Sequence, residues 1–99
     1  MEASQVSRLN AVIHERARLG IMSVLAARPG ATFTELKSLL EMTDGNLSVH
    51  LRILEKSGYV EIEKKFVERK PQTVVRISRK GKIAFEHYLT VLEEIVRGR

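Results

Sequence analysis

The most informative part of the sequence is Thr43–Val60, TDGNLSVHLRILEKSGYV. Thr43 can cap a helix through its hydroxyl, and Asp44 places a negative charge at the positive end of the helix dipole. Three leucines at i, i+4 and i+7 share one face of that helix, namely Leu47, Leu51 and Leu54. Gly58 can end the helix, and a strand alternation follows it directly. The stretch therefore predicts an amphipathic helix over 43–57 with an anchored inner face.

The opposite side of this helix carries small and polar residues, which are Asp44, Gly45, Asn46, Ser48, Val49, Arg52 and Lys56. A capped helix with such a leading turn suits insertion into a DNA major groove. Two interpretations of Asn46 stay open, bidentate pairing with adenine and local capping of the helix start. Arg52 is expected at a phosphate rather than at a guanine edge. His50 lies beside the apolar line, and we expect a packed, hydrogen-bonded histidine there.

The positive charge of the chain is concentrated in one segment. The formal net charge is +5, and residues 64–82 hold eight Lys or Arg against a single Glu. A basic segment on a slightly acidic body is typical of a protein that contacts a polyanion, although a solvated surface is the plainer alternative. Candidate contacts to the DNA backbone or minor groove are Lys64, Lys65, Arg69, Lys70 and Arg76, with Thr34 and Thr43 as further backbone contacts.

The remaining chain predicts a mainly α domain with a small β-hairpin, an α+β fold of order α-α-β-α-α-β-β-α. We expect helices over 4–13 and about 14–27, a short extended piece at 32–34, and a helix capped by Thr34 that leads into the helix at 43–57. Strands at 59–67 and 72–78 are joined by a polar turn at 68–71. A last helix at 79–97 begins after Ser78.

The last helix carries two apolar lines, which is more than a domain of this size needs for its own core. A second copy of the same helix is the most economical partner, whereas deep packing into its own domain is the alternative. We therefore expect a homodimer whose interface is formed by the terminal helices 4–13 and 79–97, with the candidates Leu9, Ile13, Phe85, Tyr88, Leu89, Leu92, Ile95 and Val96.

Several classes of function are disfavoured by the composition. The chain has no cysteine, so neither disulfides nor thiolate metal sites are expected, and a reducing compartment is the natural interpretation. No apolar run approaches membrane-spanning length, and the N-terminus lacks the pattern of a secretory signal. No catalytic spacing of serines, histidines or carboxylates is evident. We expect a cytoplasmic protein that is not an enzyme and needs no cofactor.

Four sequence segments resemble a known family: RLGIM at 18–22, FTELKSLL at 33–40, GNLSVHLRILEKSGYV at 45–60 and RISRKG at 76–81. With the element order, they make the chain resemble the winged-helix transcriptional regulators of the MarR and ArsR superfamily, in their short single-domain form. The resemblance implies one winged helix-turn-helix domain over 1–99. It also implies a recognition helix at 43–57 for the major groove, a wing at 64–72 and a homodimer.

The chain departs from that family in its sensing residues. ArsR-type metal sensors use cysteine thiolates, or carboxylates and histidines on the last helix, and this sequence supports neither arrangement. The sequence also does not identify a small-molecule effector. A winged helix that serves protein–protein assembly is the rival hypothesis, because a fold does not fix its function. The basic wing and the small polar helix start favour double-stranded DNA as the partner.

Overall fold

The computed structural model describes residues 3–98. In this part of the chain the elements are α1 (Ala3–Val6), α2 (Arg16–Ala26), β1 (Ala31–Thr32), α3 (Phe33–Leu39), α4 (Asp44–Lys56), β2 (Val60–Val67), β3 (Lys70–Ile77) and α5 (Arg79–Arg97). The order is α-α-β-α-α-β-β-α, so the predicted fold class is confirmed.

The strands form one antiparallel sheet with the order β1-β3-β2. β2 and β3 make a long hairpin whose pairing runs from Val60↔Ile77 to Val67↔Lys70. β1 adds two residues to the other edge of β3, with Ala31 opposite Val75. The outer half of the hairpin therefore extends beyond the short strand β1.

The core is formed by side chains from α2 to α5 and from the inner ends of β2 and β3. Its fully buried members include Ile21, Met22, Leu25, Leu36, Leu47, Leu54, Val75, Tyr88 and Val91. α2 lies centrally, because it contacts α4, β3 and α5. The domain is elongated, with extents of 53 × 25 × 21 Å.

The predicted helix at 4–13 is wrong, since α1 ends at Val6 and turns occupy the chain up to α2. The cause is Asn10, whose side-chain oxygen accepts hydrogen bonds from the backbone N–H groups of Val12 at 2.9 Å and Ile13 at 3.1 Å. An asparagine that bonds the backbone ahead of it competes with helix formation. Apolar periodicity alone does not reveal this competition.

The predicted cap of α3 is also wrong. Thr32 caps the helix, because its hydroxyl accepts from the backbone N–H of Glu35 at 3.0 Å and the Glu35 carboxylate accepts from the backbone N–H of Thr32 at 2.8 Å. This reciprocal capping box satisfies two donors at once, an arrangement that Thr34 cannot make with Glu35 next to it. The hydrogen bond that the Glu35 carboxylate accepts from the backbone N–H of Thr32 is the main reason that the pKa of Glu35 is lowered.

The turn of the hairpin is shorter than predicted and consists of Glu68 and Arg69. Both have positive φ, 52° and 67°, as a type I′ turn requires at its two central residues. Such a turn matches the twist of the flanking strands, so pairing continues to Val67 and Lys70. Arg69 thereby lies at the very tip of the hairpin.

α5 is locked to the base of the hairpin. Ser78 caps α5 as predicted, with its hydroxyl oxygen 2.9 Å from the backbone nitrogen of Gly81, and the same hydroxyl donates to the carbonyl of Gly58 at 2.6 Å. A Cβ atom at position 81 would overlap the carbonyl oxygen of Tyr59. Only glycine permits this approach, which fixes α5 against the start of β2.

Candidate nucleic-acid interface

Both ends of α4 are satisfied by local hydrogen bonds. Thr43 caps the start, since its hydroxyl accepts from the backbone N–H of Asn46 at 3.2 Å. At the other end Gly58 has φ of 80°, and its N–H bonds the carbonyl of Glu55 at 2.9 Å while the N–H of Tyr59 bonds that of Leu54 at 3.0 Å. This pair of bonds is a Schellman motif, so the predicted glycine stop is confirmed.

The inner face of α4 is anchored by leucines, as predicted. Leu47 and Leu54 are fully buried and Leu51 is 3% exposed. On the far side four residues recur at helical spacing and are all exposed, namely Gly45, Val49, Arg52 and Lys56. Val49 is 48% exposed although it is apolar. The helix therefore presents a free outer face with a glycine in its leading turn.

An ion pair ties the leading turn of α4 to α3. The ammonium group of Lys37 lies 2.8 Å from the Asp44 carboxylate. The turn between these helices contains Glu41 at a positive φ of 51°, where glycine is common. Lys37, which the sequence reasoning missed, supplies a positive charge beside Asp44 at the edge of the outer face. Its position six residues before the cap Thr43 was the available signal.

One flank of α4 faces the hairpin across a cleft. Ser48, Arg52 and Glu55 line it from the helix, and Lys64 and Thr73 line it from the strands. Ser48 is half-buried, whereas the guanidinium-bearing Arg52 is exposed. The cleft places one cation from each wall, Arg52 and Lys64, around a solvent-filled groove. Such a pair can contact the backbone of a polyanion.

The other flank of α4 rests on the start of α2. The guanidinium of Arg18 donates to Nδ1 of His50 at 3.1 Å, and the Glu15 carboxylate lies 3.7 Å from the same nitrogen. His50 is thus a packed, hydrogen-bonded histidine, as predicted. The backbone N–H of Arg18, which donates to Glu15 at 2.9 Å, is the main reason that the pKa of Glu15 is lowered. This network fixes the side of α4 on which Asn46 lies.

Asn46 is exposed at the edge of a pocket between the start of α2 and the turn before α4. Within the described residues its side chain makes no hydrogen bond. The helix start is capped instead by the hydroxyl of Thr43, which accepts from the backbone N–H of Asn46. Local capping therefore does not occupy the amide. Its oxygen and nitrogen are free to pair with a base edge.

Strand alternation divides the cationic residues of the hairpin between two faces. Lys64 lies on the face that looks into the cleft, with Ile62 and Phe66, whereas Lys65 lies on the opposite face. Lys70 is paired with Val67 on that opposite face as well. The candidates of the wing are therefore not equivalent in their access to the cleft beside α4.

Arg76 and Thr34 lie apart from the cleft. Arg76 shares the opposite face of the sheet with Glu63, and its guanidinium is 3.0 Å from that carboxylate. The two side chains are 42% and 51% exposed, so the DNA contact of Arg76 stays a prediction. Thr34 is exposed at the start of α3 and borders a groove beside Lys70 and Pro71.

Phe66 is the residue of the hairpin that sequence reasoning missed most clearly. Its side chain is 76% exposed near the tip. The signal was present in the alternation Val60, Ile62, Lys64, Phe66, which places an aromatic ring beyond the end of the buried face.

The predicted dimer residues fall into two groups. Ile13, Phe85 and Tyr88 are buried in the core of their own subunit, so these three predictions are revised. The Tyr88 hydroxyl is hydrogen-bonded to Nδ1 of His14 at 2.8 Å, and burial raises the pKa of Tyr88. Leu9, Leu92 and Ile95 are half-buried, whereas Leu89 and Val96 are exposed on α5.

Among residues 3–98, no group of three or more His, Asp or Glu side chains is arranged to hold a metal ion. In the same range no helix has both the length and the apolar character needed to cross a membrane.

A helix-turn-helix whose second helix has a free outer face, followed by a basic hairpin, defines a DNA-binding winged-helix domain. Residues 17–96 match the family described as Winged helix DNA-binding domain, and the chain belongs to this family. A transcriptional regulator homologue from Pyrococcus horikoshii superposes with a TM-score of 0.90 at 32% identity and 96% coverage of both chains.

Two further similarities agree with this assignment. An uncharacterized protein from Methanocaldococcus jannaschii is 35% identical over 78 residues, which are 79% of this chain and 85% of the relative. A homodimeric winged helix-turn-helix DNA-binding domain from Mycobacterium bovis shares the fold, with a TM-score of 0.71 at 21% identity over 97% and 85% of the two chains. An ArsR family regulator shares the fold at 21% identity. The winged-helix resemblance inferred from the sequence is confirmed by the family match over residues 17–96.

Proposed function

We propose that the protein is a sequence-specific regulator of transcription that binds double-stranded DNA as a homodimer. α4 enters the major groove, and the hairpin follows the backbone towards the minor groove. The observation that carries this proposal is the outer face of α4, which is exposed along its whole length beside a cleft lined by Arg52 and Lys64. A helix of 13 residues with a free polar face and a capped start fits the docking geometry of recognition helices.

The residues of α4 divide between base and phosphate contacts. Asn46 has an unoccupied amide for an adenine edge, Ser48 can bond a base or a phosphate, and Val49 can contact a thymine methyl group. Arg52 and Lys56 lie on the outer face nearer the end of the helix and neutralise phosphates. Lys64, Lys65, Arg69 and Lys70 of the wing add attraction that carries little base information.

The homodimer is supported by the exposed apolar side chains on the second half of α5. Leu89 is 44% exposed and Val96 is 77% exposed, and both lie on one line with the half-buried Leu92. Isologous pairing of two α5 helices covers this line. Two recognition helices then meet half-sites about 34–36 Å apart on one side of the duplex.

Binding to genomic DNA fragments at increasing salt tests the DNA-binding function. We expect affinity to fall steeply as salt rises, because each phosphate contact releases counterions, and we expect a protected palindrome in footprints. Absence of binding even at low salt would overturn the proposal and favour a role in protein assembly.

The division of roles is tested on a panel of duplexes that differ at single base pairs. Asn46→Ala and Val49→Ala should change the order of preference among the duplexes, whereas Arg69→Ala should weaken binding to all of them alike. Equal losses on every duplex from the two α4 variants would contradict the assignment of base contacts to this helix.

The dimer is tested by replacing Val96 with lysine and measuring the molecular mass in solution by sedimentation. We expect Val96→Lys to shift the protein to monomers. Ile83→Lys is a matched control, because Ile83 is 60% exposed on another side of the same helix. A wild-type mass of one chain, or an unchanged dimer in Val96→Lys, would contradict pairing through this line.

A further inference from the structure

The end of the hairpin carries an aromatic side chain that the domain itself does not use. Phe66 is 76% exposed, whereas Val60 at the other end of the same strand face is 3% exposed. A large exposed apolar side chain on a conspicuously basic segment is unfavourable in water unless a partner covers it. Phe66 lies between Lys65 and the turn residue Arg69, so the partner must tolerate concentrated positive charge.

The hairpin holds Phe66 rigidly. The two-residue turn makes Val67 and Lys70 a hydrogen-bonded pair, so the next pair, Phe66 and Pro71, is non-hydrogen-bonded. In such a pair the side chains are close together, and the missing N–H of Pro71 costs the ladder nothing. Phe66 and Pro71 therefore form a compact apolar tip on a fixed backbone.

Phe66 points to the side of the hairpin on which α4 lies. Side chains two residues apart share a face, and Lys64 on this face lines the cleft opposite Arg52. Val67 is also partly exposed, at 43%, but lies on the opposite face. A duplex bound to α4 would meet Phe66 rather than Val67.

The hairpin carries Phe66 away from the core by a length similar to the spacing between neighbouring DNA grooves. Phe66 is four residues beyond Ile62, which is half-buried, so it projects about 14 Å along the strand from the core. With a helical repeat of about 34–36 Å, the centre of the neighbouring minor groove lies about 17 Å from that of the major groove.

We infer, on the basis of the DNA-binding function proposed above, that Phe66 is a specificity-determining contact to the minor groove. The ring packs against the sugars and the base-pair step at the groove floor, backed by Pro71, while Arg69 at the tip of the hairpin neutralises the adjacent phosphates. Apolar side chains that enter the minor groove partly unstack a base step. Pyrimidine–purine steps unstack most easily, so the wing selects such a step on the flank of the site.

A single tryptophan reports on this contact, since the chain contains none. Phe66→Trp and the matched control Val67→Trp are each titrated with duplex, and quenching of tryptophan by acrylamide is measured in the free and bound proteins. We expect the tryptophan at position 66 to become protected from acrylamide on binding. The tryptophan at position 67, on the opposite face, should stay accessible.

The same samples distinguish two kinds of failure, because binding is followed independently by the anisotropy of a labelled duplex. Binding without protection at position 66 overturns the role of Phe66 and leaves the DNA-binding function standing. No binding by the wild type or either variant overturns both.

Affinity measurements supply a second test. Phe66→Ala should weaken binding roughly tenfold or more through lost apolar contact, and the loss should be smaller on duplexes whose flanking step is not pyrimidine–purine. Val67→Ala should stay within about twofold of the wild type. Equal losses for Phe66→Ala and Val67→Ala would overturn the inference.

Discussion

Replacing Gly45 with alanine should make the domain more stable and make it bind DNA more weakly. Gly45 lies in the first turn of α4 on the outer face, in line with Val49 and Arg52. A Cβ atom built at this position has no heavy atom within 4 Å, so the domain itself has room for a methyl group. Gly45 also has no positive φ that would strain alanine.

The expected magnitudes follow from this geometry. Alanine is favoured over glycine in a helix by about 0.5–1 kcal/mol, so the melting temperature of Gly45→Ala should rise by about 2–8 °C. The methyl group points towards the bound duplex, where an added carbon in a close contact costs about 1–3 kcal/mol. Affinity for DNA should therefore fall by roughly fivefold to a hundredfold.

Thermal unfolding and duplex anisotropy on the same protein measure the two effects. Gly20→Ala is the control, because Gly20 lies within α2 and its Cβ would be 3.1 Å from a methyl carbon of Leu40. This variant should gain less stability and keep wild-type affinity for DNA. A lower melting temperature for Gly45→Ala would refute the view that the position is open. Unchanged affinity would refute a close approach of DNA to the leading turn.

Three further predictions concern hydrogen bonds that stabilise the domain. Thr43→Ala removes the cap of α4 and should lower the free energy of unfolding, measured by urea titration, by about 1 kcal/mol. An unchanged free energy of unfolding would contradict the capping role. Because folding lowers the pKa of Glu15, its charged form stabilises the fold above pH 4.5, and that stabilisation is lost as pH falls through the lower folded pKa. The stability difference between wild type and Glu15→Gln should narrow on acidification below pH 4.5, and a constant difference in urea unfolding would contradict this. Tyr88→Phe removes the hydrogen bond to His14 and should lower the free energy of unfolding by about 0.5–1.5 kcal/mol, measured by the same method. A higher free energy of unfolding would contradict a stabilising role of this hydrogen bond.

The sequence was most informative where neighbouring residues determine the structure. α4 could be predicted because its cap, its leucine spacing and its glycine stop all lie within Thr43–Val60 and agree with one another. The cap of α5 at Ser78 and the strands of the hairpin could be predicted for the same reason. The outer face of α4 then followed from the position of the buried leucines.

Features that depend on distant partners could not be predicted. Tyr88 and Ile13 share the apolar pattern of an interface residue, and only the packing of the whole domain shows that both are buried in its core. The pairing of Arg18 with His50, 32 positions away, requires the three-dimensional structure. The ion pair of Arg76 with Glu63, 13 positions away on the facing strand, likewise requires the three-dimensional structure.

Methylation of bound DNA by dimethyl sulfate shows whether α4 enters the major groove, since guanine N7 is accessible there. If α4 of each subunit enters that groove, two clusters of guanine N7 atoms should be protected, with centres about 34–36 Å apart. Reactivity of guanine N7 that is unchanged throughout the bound site would mean that α4 does not occupy the major groove.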